Sequence, residues 1–337
     1  MRILILMRDL SLNGITTYNR ILAAELSRQG HEVHVWANPL LHPWVEPLTR
    51  LFVKRLRPDV ILANHFTQAS LAHCLRVSTG IPWVAVMHNG HSPQRMLAWA
   101  KLFSNAAGVV TMCETMRTKY TQLVEENYAA GIAPPIFLSR LPIVIPEPRQ
   151  RVPGIPLTLA YCSRMSGSKG VRAEAWLQAV ASLPEPSQYK LLLIGGGSYL
   201  KRLRRSAESL GLQVEFTGTI ADPSRLLDQV DVITGAGYSL MEGLVLGCAP
   251  VALGFGGCFG TITEANLDAA FEVNFGDHSA ASLPDDAATI ANALREAIAL
   301  LLSPASTEPI RTRSITYFSP APIASELLGF LRERTAA

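Results

Sequence analysis

Two cations stand close together in one short stretch, residues 163–170, which reads SRMSGSKG. Arg164 can bind an anion through two parallel N–H groups, and Lys169 acts as a compact point charge. The glycines in the stretch let the backbone approach a ligand closely. It is not a Walker loop, because GxxxxGK followed by Ser or Thr is absent. One such cation would be ordinary surface charge, but two in a flexible loop predict a site for a diphosphate.

A second anion site is predicted in residues 235–247, which read GAGYSLMEGLVLG. Gly235 and Gly237 separate the end of an apolar strand from the start of a helix. The amides expected to point at an anion are those of Tyr238, Ser239 and Leu240. Glu242 lies one turn into the helix, where its carboxylate can accept two hydrogen bonds from a ribose diol. Alternatively, Glu242 only complements the helix dipole.

Two further candidates lie in the first half of the chain. His88 ends the apolar run in VMHNGH, where a histidine at the carboxyl end of a strand can hydrogen-bond a sugar or shuttle a proton. A histidine satisfied within the core is the alternative. Gly14 lies in the turn after the first apolar run, where a helix start offers free N–H groups to an anion. A plain strand-to-helix connection is the alternative there.

Metal and cofactor motifs are missing from the sequence. His91 follows His88 by three positions, yet no Cys or carboxylate joins them to form a zinc site. No Asp-x-Asp pair is present to bridge a metal to a diphosphate. The glycines at 195–197 lack the rest of a GxGxxG fingerprint, and we interpret them as a tight turn. We therefore predict no metal and no resident cofactor.

The elements that position these residues alternate along the whole chain. Buried strands that alternate with helices predict parallel sheets covered on both faces. The predicted strands occupy residues 3–7, 32–36, 60–63, 83–87, 108–112, 137–145, 157–162, 191–194, 214–217, 232–234 and 251–253. The predicted helices occupy residues 15–29, 176–183, 199–210, 240–246, 288–302 and 320–334.

A proline-rich segment interrupts this alternation. Pro142, Pro146, Pro148 and Pro153 resist both helix and sheet, and Arg149, Gln150 and Arg151 accompany them. We interpret this segment as a linker between two doubly wound domains of similar size. In such folds a ligand is expected in the cleft at the carboxyl ends of both sheets.

Composition agrees with two globular domains. The chain has 337 residues, of which 48% are hydrophobic and 17% charged, so it can bury two cores. A net charge of +3 is too small to indicate nucleic-acid binding. The N-terminus does not resemble a signal peptide, and no apolar run is long enough to span a bilayer. Five cysteines without a CxxC pair favour reduced thiols, and we expect a cytoplasmic location.

Taken in order, these motifs resemble glycosyltransferase family 4 over nearly the whole chain. The similar segments are GITTYNRILAAELSRQGHEVHV, SRMSGSKG, YKLLLIGGG, VEFTGTIAD, SLMEGLVLGCAPVAL and TYFSPAPIASELLGFLRER. The resemblance implies an α/β chain of the GT-B class, with two Rossmann-like domains facing a central cleft. Residues 1–147 and the returning helix 319–337 would form the acceptor domain, and residues 148–318 the donor domain.

The resemblance also implies a role for each matching residue. Arg164 and Lys169 would bind the donor diphosphate, and Glu242, the second glutamate of the family's pair, would hold the ribose. Gly218 and Thr219 match the turn beside the base, His88 the histidine near the transferred sugar, and Gly14 the loop near the phosphates. The first glutamate of the pair falls at Thr234, which carries no charge. The stretch GGCFGTITEAN also lacks a glutamate at the family's usual distance.

Three functions remain open. The first is a metal-independent, retaining glycosyltransferase that uses a UDP- or GDP-sugar and a glycan, lipid-linked or protein acceptor. The second is a non-catalytic nucleotide-sugar-binding subunit, which Thr234 keeps open. The third is another GT-B enzyme, an epimerase or a phosphorylase. Residues 47–58 form a basic amphipathic pattern that either contacts the inner face of an anionic membrane or packs on the sheet with a solvated basic face.

Overall fold

The computed structural model describes residues 1–11, 13–37, 46–90, 92–128, 133–147, 153–220, 222–278, 283–303 and 307–335. The chain divides into two compact units. Unit 1 comprises Met1–Ile143 and Phe318–Ala337, and unit 2 comprises Val144–Tyr317. Each unit contains a six-stranded sheet with helices, which confirms the predicted α/β class.

The sheet of unit 1 has the strand order β2-β1-β3-β4-β5-β6, with every neighbouring pair parallel. Its strands are β1 (Arg2–Met7), β2 (Glu32–Ala37), β3 (Val60–Ala63), β4 (Trp83–Met87), β5 (Gly108–Thr111) and β6 (Ile136–Leu138). Its helices are α1 (Gly14–Arg28), α2 (Glu46–Leu56), α3 (Phe66–Thr79), α4 (Pro93–Phe103), α5 (Glu114–Asn127) and, at the chain end, α13 (Pro320–Thr335).

The sheet of unit 2 has the order β12-β11-β10-β7-β8-β9. Its strands are β7 (Thr158–Cys162), β8 (Lys190–Ile194), β9 (Val214–Gly218), β10 (Val232–Gly235), β11 (Ala249–Gly254) and β12 (Gly257–Thr261). Its helices are α6 (Gly167–Ala181), α7 (Leu200–Ser209), α8 (Ser224–Leu227), α9 (Tyr238–Val245), α10 (Leu267–Glu272), α11 (Ala287–Leu301) and α12 (Thr307–Phe318). All pairs except β11 with β12 are parallel.

Burial on both faces explains why the strands are continuous apolar runs. Every residue of β3, β4, β7 and β10 is buried, as in other parallel sheets covered by helices. In unit 2, Trp176 and Leu177 of α6 pack into the same core as Leu159 and Tyr161 of β7. These helices hold the strand ends, and therefore the loops that follow them, in fixed positions.

Three sequence-based predictions about elements were wrong in detail. The strand predicted at 137–145 is only Ile136–Leu138, because Pro142 and Pro146 have no N–H for a sheet ladder. The second sheet is not fully parallel, because β12 returns antiparallel after a two-residue connection from β11. The helix predicted at 176–183 begins at Gly167, which places Lys169 within its first turn. Residues 148–151 of the predicted linker lie outside the described residues.

The predicted helix at 47–58 is present as α2. Its Thr49 and Val53 are fully buried, whereas Leu48 and Leu51 are each 66% exposed. The described part of the chain contains no helix long and apolar enough to cross a bilayer.

Candidate functional site

The predicted loops of unit 2 meet at one edge of its sheet. They follow β7, β8, β9 and β10, which are parallel and therefore end at the same edge. In this sheet β8 lies on one side of β7 and β10 on the other. The direction in which successive strands are added therefore reverses between β7 and β10. Ligands of doubly wound sheets bind outside the strand ends at such a reversal. Lys169 follows β7 and Gly237 follows β10, so both flank it.

The stretch after β7 carries its two cations in different settings. Arg164 is exposed and has no ion pair among the described residues. The neighbouring Met165 is fully buried and anchors the loop between the two cations. Lys169 Nζ lies 3.2 Å from Asp277 Oδ1, with both side chains about four-fifths buried. Asp277 belongs to no sequence motif and was missed by sequence reasoning, because only packing brings it to α6.

The triple glycine after β8 is more than the tight turn that we predicted. A Cβ at Gly195 would overlap the Ser163 carbonyl oxygen, and one at Gly197 would overlap that of Met165. Both glycines have positive φ, at 130° and 154°. The Met165 amide also donates to Gly196 O at 2.9 Å. The triple glycine therefore packs directly against the loop that carries Arg164.

The turn after β9 joins this group of loops. Gly218 has a φ of 66° and forms an isolated bridge with Gly195. The Thr219 side chain lies against Gly196, where any Cβ would overlap its Oγ1. Gly218 and Thr219, predicted to lie beside a nucleotide base, thus contact the triple glycine that packs against the predicted diphosphate loop.

The start of α9 differs in part from its prediction. Gly237 is the N-cap, and its carbonyl accepts from the amide of Leu240 at 3.1 Å. The Leu240 amide is therefore already paired, because the helix turns tightly there. Ser239 lies close to Cys162, at the end of β7, and lowers the pKa of its thiol. Tyr238, like Ser239, is partly buried in this first turn.

Cys162 shows how closely these parts meet. Burial raises the pKa of its thiol to about 12, so it is a neutral, structural group at ordinary pH. The charges of both Glu242 and Lys169 act on this thiol. Glu242 is half-buried one turn into α9. The structure thus brings Lys169 and Glu242, predicted on separate motifs, to the same strand end.

Thr234, which was predicted to line the donor site, lies in the core of unit 2. Thr234 is fully buried within β10, and its hydroxyl accepts a 3.1 Å hydrogen bond from Trp176 Nε1 of α6. A residue with no exposed surface and an occupied hydroxyl does not present its side chain to a ligand. The reason is the direction of the side chain, which points under the sheet toward the helix layer.

In unit 1, His88 belongs to a buried polar network. It is 9% exposed, and its Nε2 lies 2.7 Å from Asn64 Oδ1. That oxygen also accepts from Asn19 Nδ2 at 2.8 Å. The ring of Tyr18 meets His88 edge-on at 5.1 Å. Because Asn64 Oδ1 is an acceptor, this contact favours a proton on His88 Nε2.

Sequence reasoning missed these partners of His88. The sequence does contain a signal for Asn64. It directly follows the buried strand β3, and His88 directly follows β4, which is the parallel neighbour of β3. Asn19 lies in the middle of the amphipathic α1 and gives no such signal. His91 lies outside the described residues.

The turn before α1 is also more occupied than predicted. The Asn13 side chain caps the helix and accepts from the amides of Ile15 and Thr16 at 2.9 and 3.0 Å. Asp9 accepts from the Ser11 amide at 3.0 Å and from its hydroxyl. The prediction that the helix start at Gly14 offers free amides was therefore wrong for Ile15 and Thr16. An asparagine cap supplies the acceptor that an anion would otherwise provide.

Comparison with known proteins bears on the second unit directly. The model of the family "Glycosyl transferases group 1" matches residues 148–285. This match covers the predicted diphosphate loop, the glycine turns, α9 and Asp277. No curated protein sequence matches the chain.

Solved structures show the fold of the whole chain. Anabaena Alr3699/HepE, solved with UDP and glucose, is 18% identical with a TM-score of 0.75, covering 99% of this chain and 100% of that one. Sucrose-phosphate synthase from Thermosynechococcus elongatus is 15% identical with a TM-score of 0.76, covering 100% of both chains. A Rickettsia africae glycosyltransferase is 15% identical with a TM-score of 0.72, covering 99% and 98%. The fold is GT-B. Together with the family match over residues 148–285, it supports the conclusion that the chain is a transferase enzyme.

Proposed function

We propose that this chain transfers a sugar from a nucleotide-sugar donor to an acceptor whose identity is open. The observation that carries the proposal is the convergence of Lys169, the Gly218–Thr219 turn, the Gly237 turn and Glu242 at one strand edge. Each of these groups suits one part of a nucleotide-sugar. The Lys169 cation suits the phosphates, the glycine turns let the ligand approach the backbone closely, and the Glu242 carboxylate suits a diol. The UDP and UDP-glucose complexes of the structurally similar HepE favour a UDP-sugar.

In this function, Lys169 and Arg164 act mainly on the departing nucleotide. Breaking the bond to the sugar places negative charge on the diphosphate, and cations fixed beside it stabilise that charge as it develops. The donor phosphate can itself accept the acceptor proton, so no side-chain base is required. Retention of configuration is part of the proposal and rests on the resemblance to family 4.

A screen of UDP-, GDP-, ADP- and dTDP-sugars for binding and hydrolysis tests the proposal. We expect one nucleotide class to bind and its sugar donor to be hydrolysed slowly even without acceptor. A chain that binds none of the four classes would contradict the proposal. Binding without hydrolysis, and without transfer in acceptor trials, would favour the second candidate, a non-catalytic binding subunit. Thr234 favours that candidate, because it supplies no carboxylate at the position where the resemblance implies a sugar contact.

Activity should persist in excess EDTA. The sequence contains no Asp-x-Asp pair, so the cations Arg164 and Lys169 must meet the charge of the leaving group. Donor hydrolysis measured before and after chelation checks this expectation. Complete loss, restored by magnesium or manganese, would show that the leaving group is stabilised in another way.

Glu242→Gln should weaken binding of the bare nucleotide and of the sugar donor by similar factors, roughly tenfold. A charged contact to two ribose hydroxyls becomes a neutral one, at a cost of about 1–2 kcal/mol. Calorimetry with UDP and UDP-glucose measures both affinities.

Glu296→Gln, on the exposed face of α11, is the matched control and should leave both affinities unchanged. If Glu242→Gln weakens only the sugar donor, Glu242 contacts the sugar and not the ribose.

A further inference from the structure

Asp277 holds three elements together at the edge where the donor is proposed to bind. Its Oδ1 accepts from the amide of Phe255, directly after β11, at 2.8 Å. The same oxygen lies 3.2 Å from Lys169 Nζ on α6. Its Oδ2 faces the turn before α9, where a Cβ added to Gly237 would lie 3.1 Å away. The carboxylate therefore stands between the diphosphate loop and the start of α9.

The backbone before Asp277 is held in an uncommon conformation. Asn274, Phe275 and Gly276 have φ values of 50°, 57° and 85°, and two of these residues are not glycine. Phe275 is fully buried and packs edge-on against Phe271. Non-glycine residues stay in this region only where their surroundings hold them there, and such positions cluster at functional sites. The position of the carboxylate is thus set by packing rather than by a flexible loop.

The second oxygen of the carboxylate has capacity for a further hydrogen bond. An ionised carboxylate can accept about four hydrogen bonds. Among the described residues, the hydrogen bond to Oδ2 comes from Lys169 Nζ, at 3.5 Å. The Asp277 side chain is 19% exposed, so a ligand can reach it.

A negative charge beside Lys169 does not help to bind a diphosphate, since it repels that anion. The hydroxyl groups of a sugar, in contrast, are donors that a carboxylate binds strongly. Thr234, where the resemblance implied a sugar contact, is buried and unable to serve. We propose that Asp277 binds hydroxyl groups of the donor sugar and thereby determines sugar specificity. This inference rests on the proposed glycosyl transfer, and it names the residue that distinguishes a nucleotide-sugar from its bare nucleotide.

The test compares bare nucleotides with nucleotide-sugars in the Asp277→Asn variant of the full chain. Calorimetry measures the dissociation constants of UDP and UDP-glucose, and in parallel those of GDP and GDP-mannose. We expect bare nucleotide to bind as tightly as to wild type or more tightly, because a like charge is removed. The extra affinity contributed by the sugar should fall about tenfold, as for the loss of one charge-assisted hydrogen bond.

Two other variants make this comparison sharper. Asp268→Asn makes the same change at an exposed residue paired with Arg313, and it should leave every constant unchanged. Asp277→Glu retains the charge but moves it by one methylene group. It should keep the affinity for the bare nucleotide. The ratio of the dissociation constants of nucleotide and nucleotide-sugar should change several-fold. This second variant carries the test if Asp277→Asn does not fold.

The outcomes separate this inference from the proposed function. Wild type that binds none of the UDP-, GDP-, ADP- and dTDP-compounds of the nucleotide screen would overturn both. Wild type that prefers a nucleotide-sugar, with Asp277 variants that leave the preference unchanged, would overturn only the assignment of Asp277. Equal weakening of nucleotide and nucleotide-sugar would also overturn it, because Asp277 would then act only by holding Lys169.

Discussion

Lys169→Ala should remove most donor turnover while the fold survives. The ammonium group is proposed to meet the developing charge on the diphosphate, and one charge-assisted contact contributes roughly 1.5–3 kcal/mol. The expected loss in kcat/KM is therefore about ten- to a hundredfold. Steady-state hydrolysis or transfer with the donor found by the nucleotide screen measures it. The same change leaves the mostly buried Asp277 carboxylate without its cation, so urea unfolding of the variant measures any loss of stability separately from the loss of turnover.

Lys190→Ala is the matched control for this experiment. Lys190 begins β8, at the opposite edge of the same sheet, and its Nζ lies 3.9 Å from Glu215 on the surface. The variant loses the same charge and a similar side chain, so it should keep wild-type kinetics. Unchanged kinetics in Lys169→Ala would contradict the placement of Lys169 at the diphosphate.

Thr234→Glu should unfold unit 2 or lower its stability by several kcal/mol. The site is fully buried beside Trp176, and a carboxylate there would replace the hydroxyl that accepts from the Trp176 indole N–H. Burying an unpaired charge is among the most costly single changes. Urea unfolding followed by Trp fluorescence, with soluble yield as a second measure, checks this expectation.

Two smaller changes at the same position show the cause. Thr234→Val keeps the shape but leaves the Trp176 indole N–H unpaired, so a loss of about 1–3 kcal/mol is expected. Thr234→Ser keeps the hydroxyl and should cost about 1 kcal/mol, for one buried methyl group. A stable Thr234→Glu chain with tighter donor binding would show that β10 turns this side chain toward the ligand after all.

The candidate site was predicted only in part because local sequence identifies loops but not the partners of their side chains. Lys169 and Gly237 each follow a recognisable strand, so their positions at one edge could be inferred from parallel pairing alone. Asp277 could not, because it arrives from a segment more than a hundred residues after Lys169, through packing of Phe275 and the close approach of Gly254 to Gly276. The Asn64 contact of His88 likewise depends on which strands become neighbours.

The sequence by itself determined the alternation of buried strands and helices, and with it the α/β class. A strand covered on both faces must be apolar throughout, and this pattern is visible without a structure. The same pattern conceals which face each side chain takes, because no polar residue alternates with the apolar ones. Only the tertiary structure could therefore decide that Thr234 points at Trp176, whereas the carboxylate at the strand ends comes from Asp277.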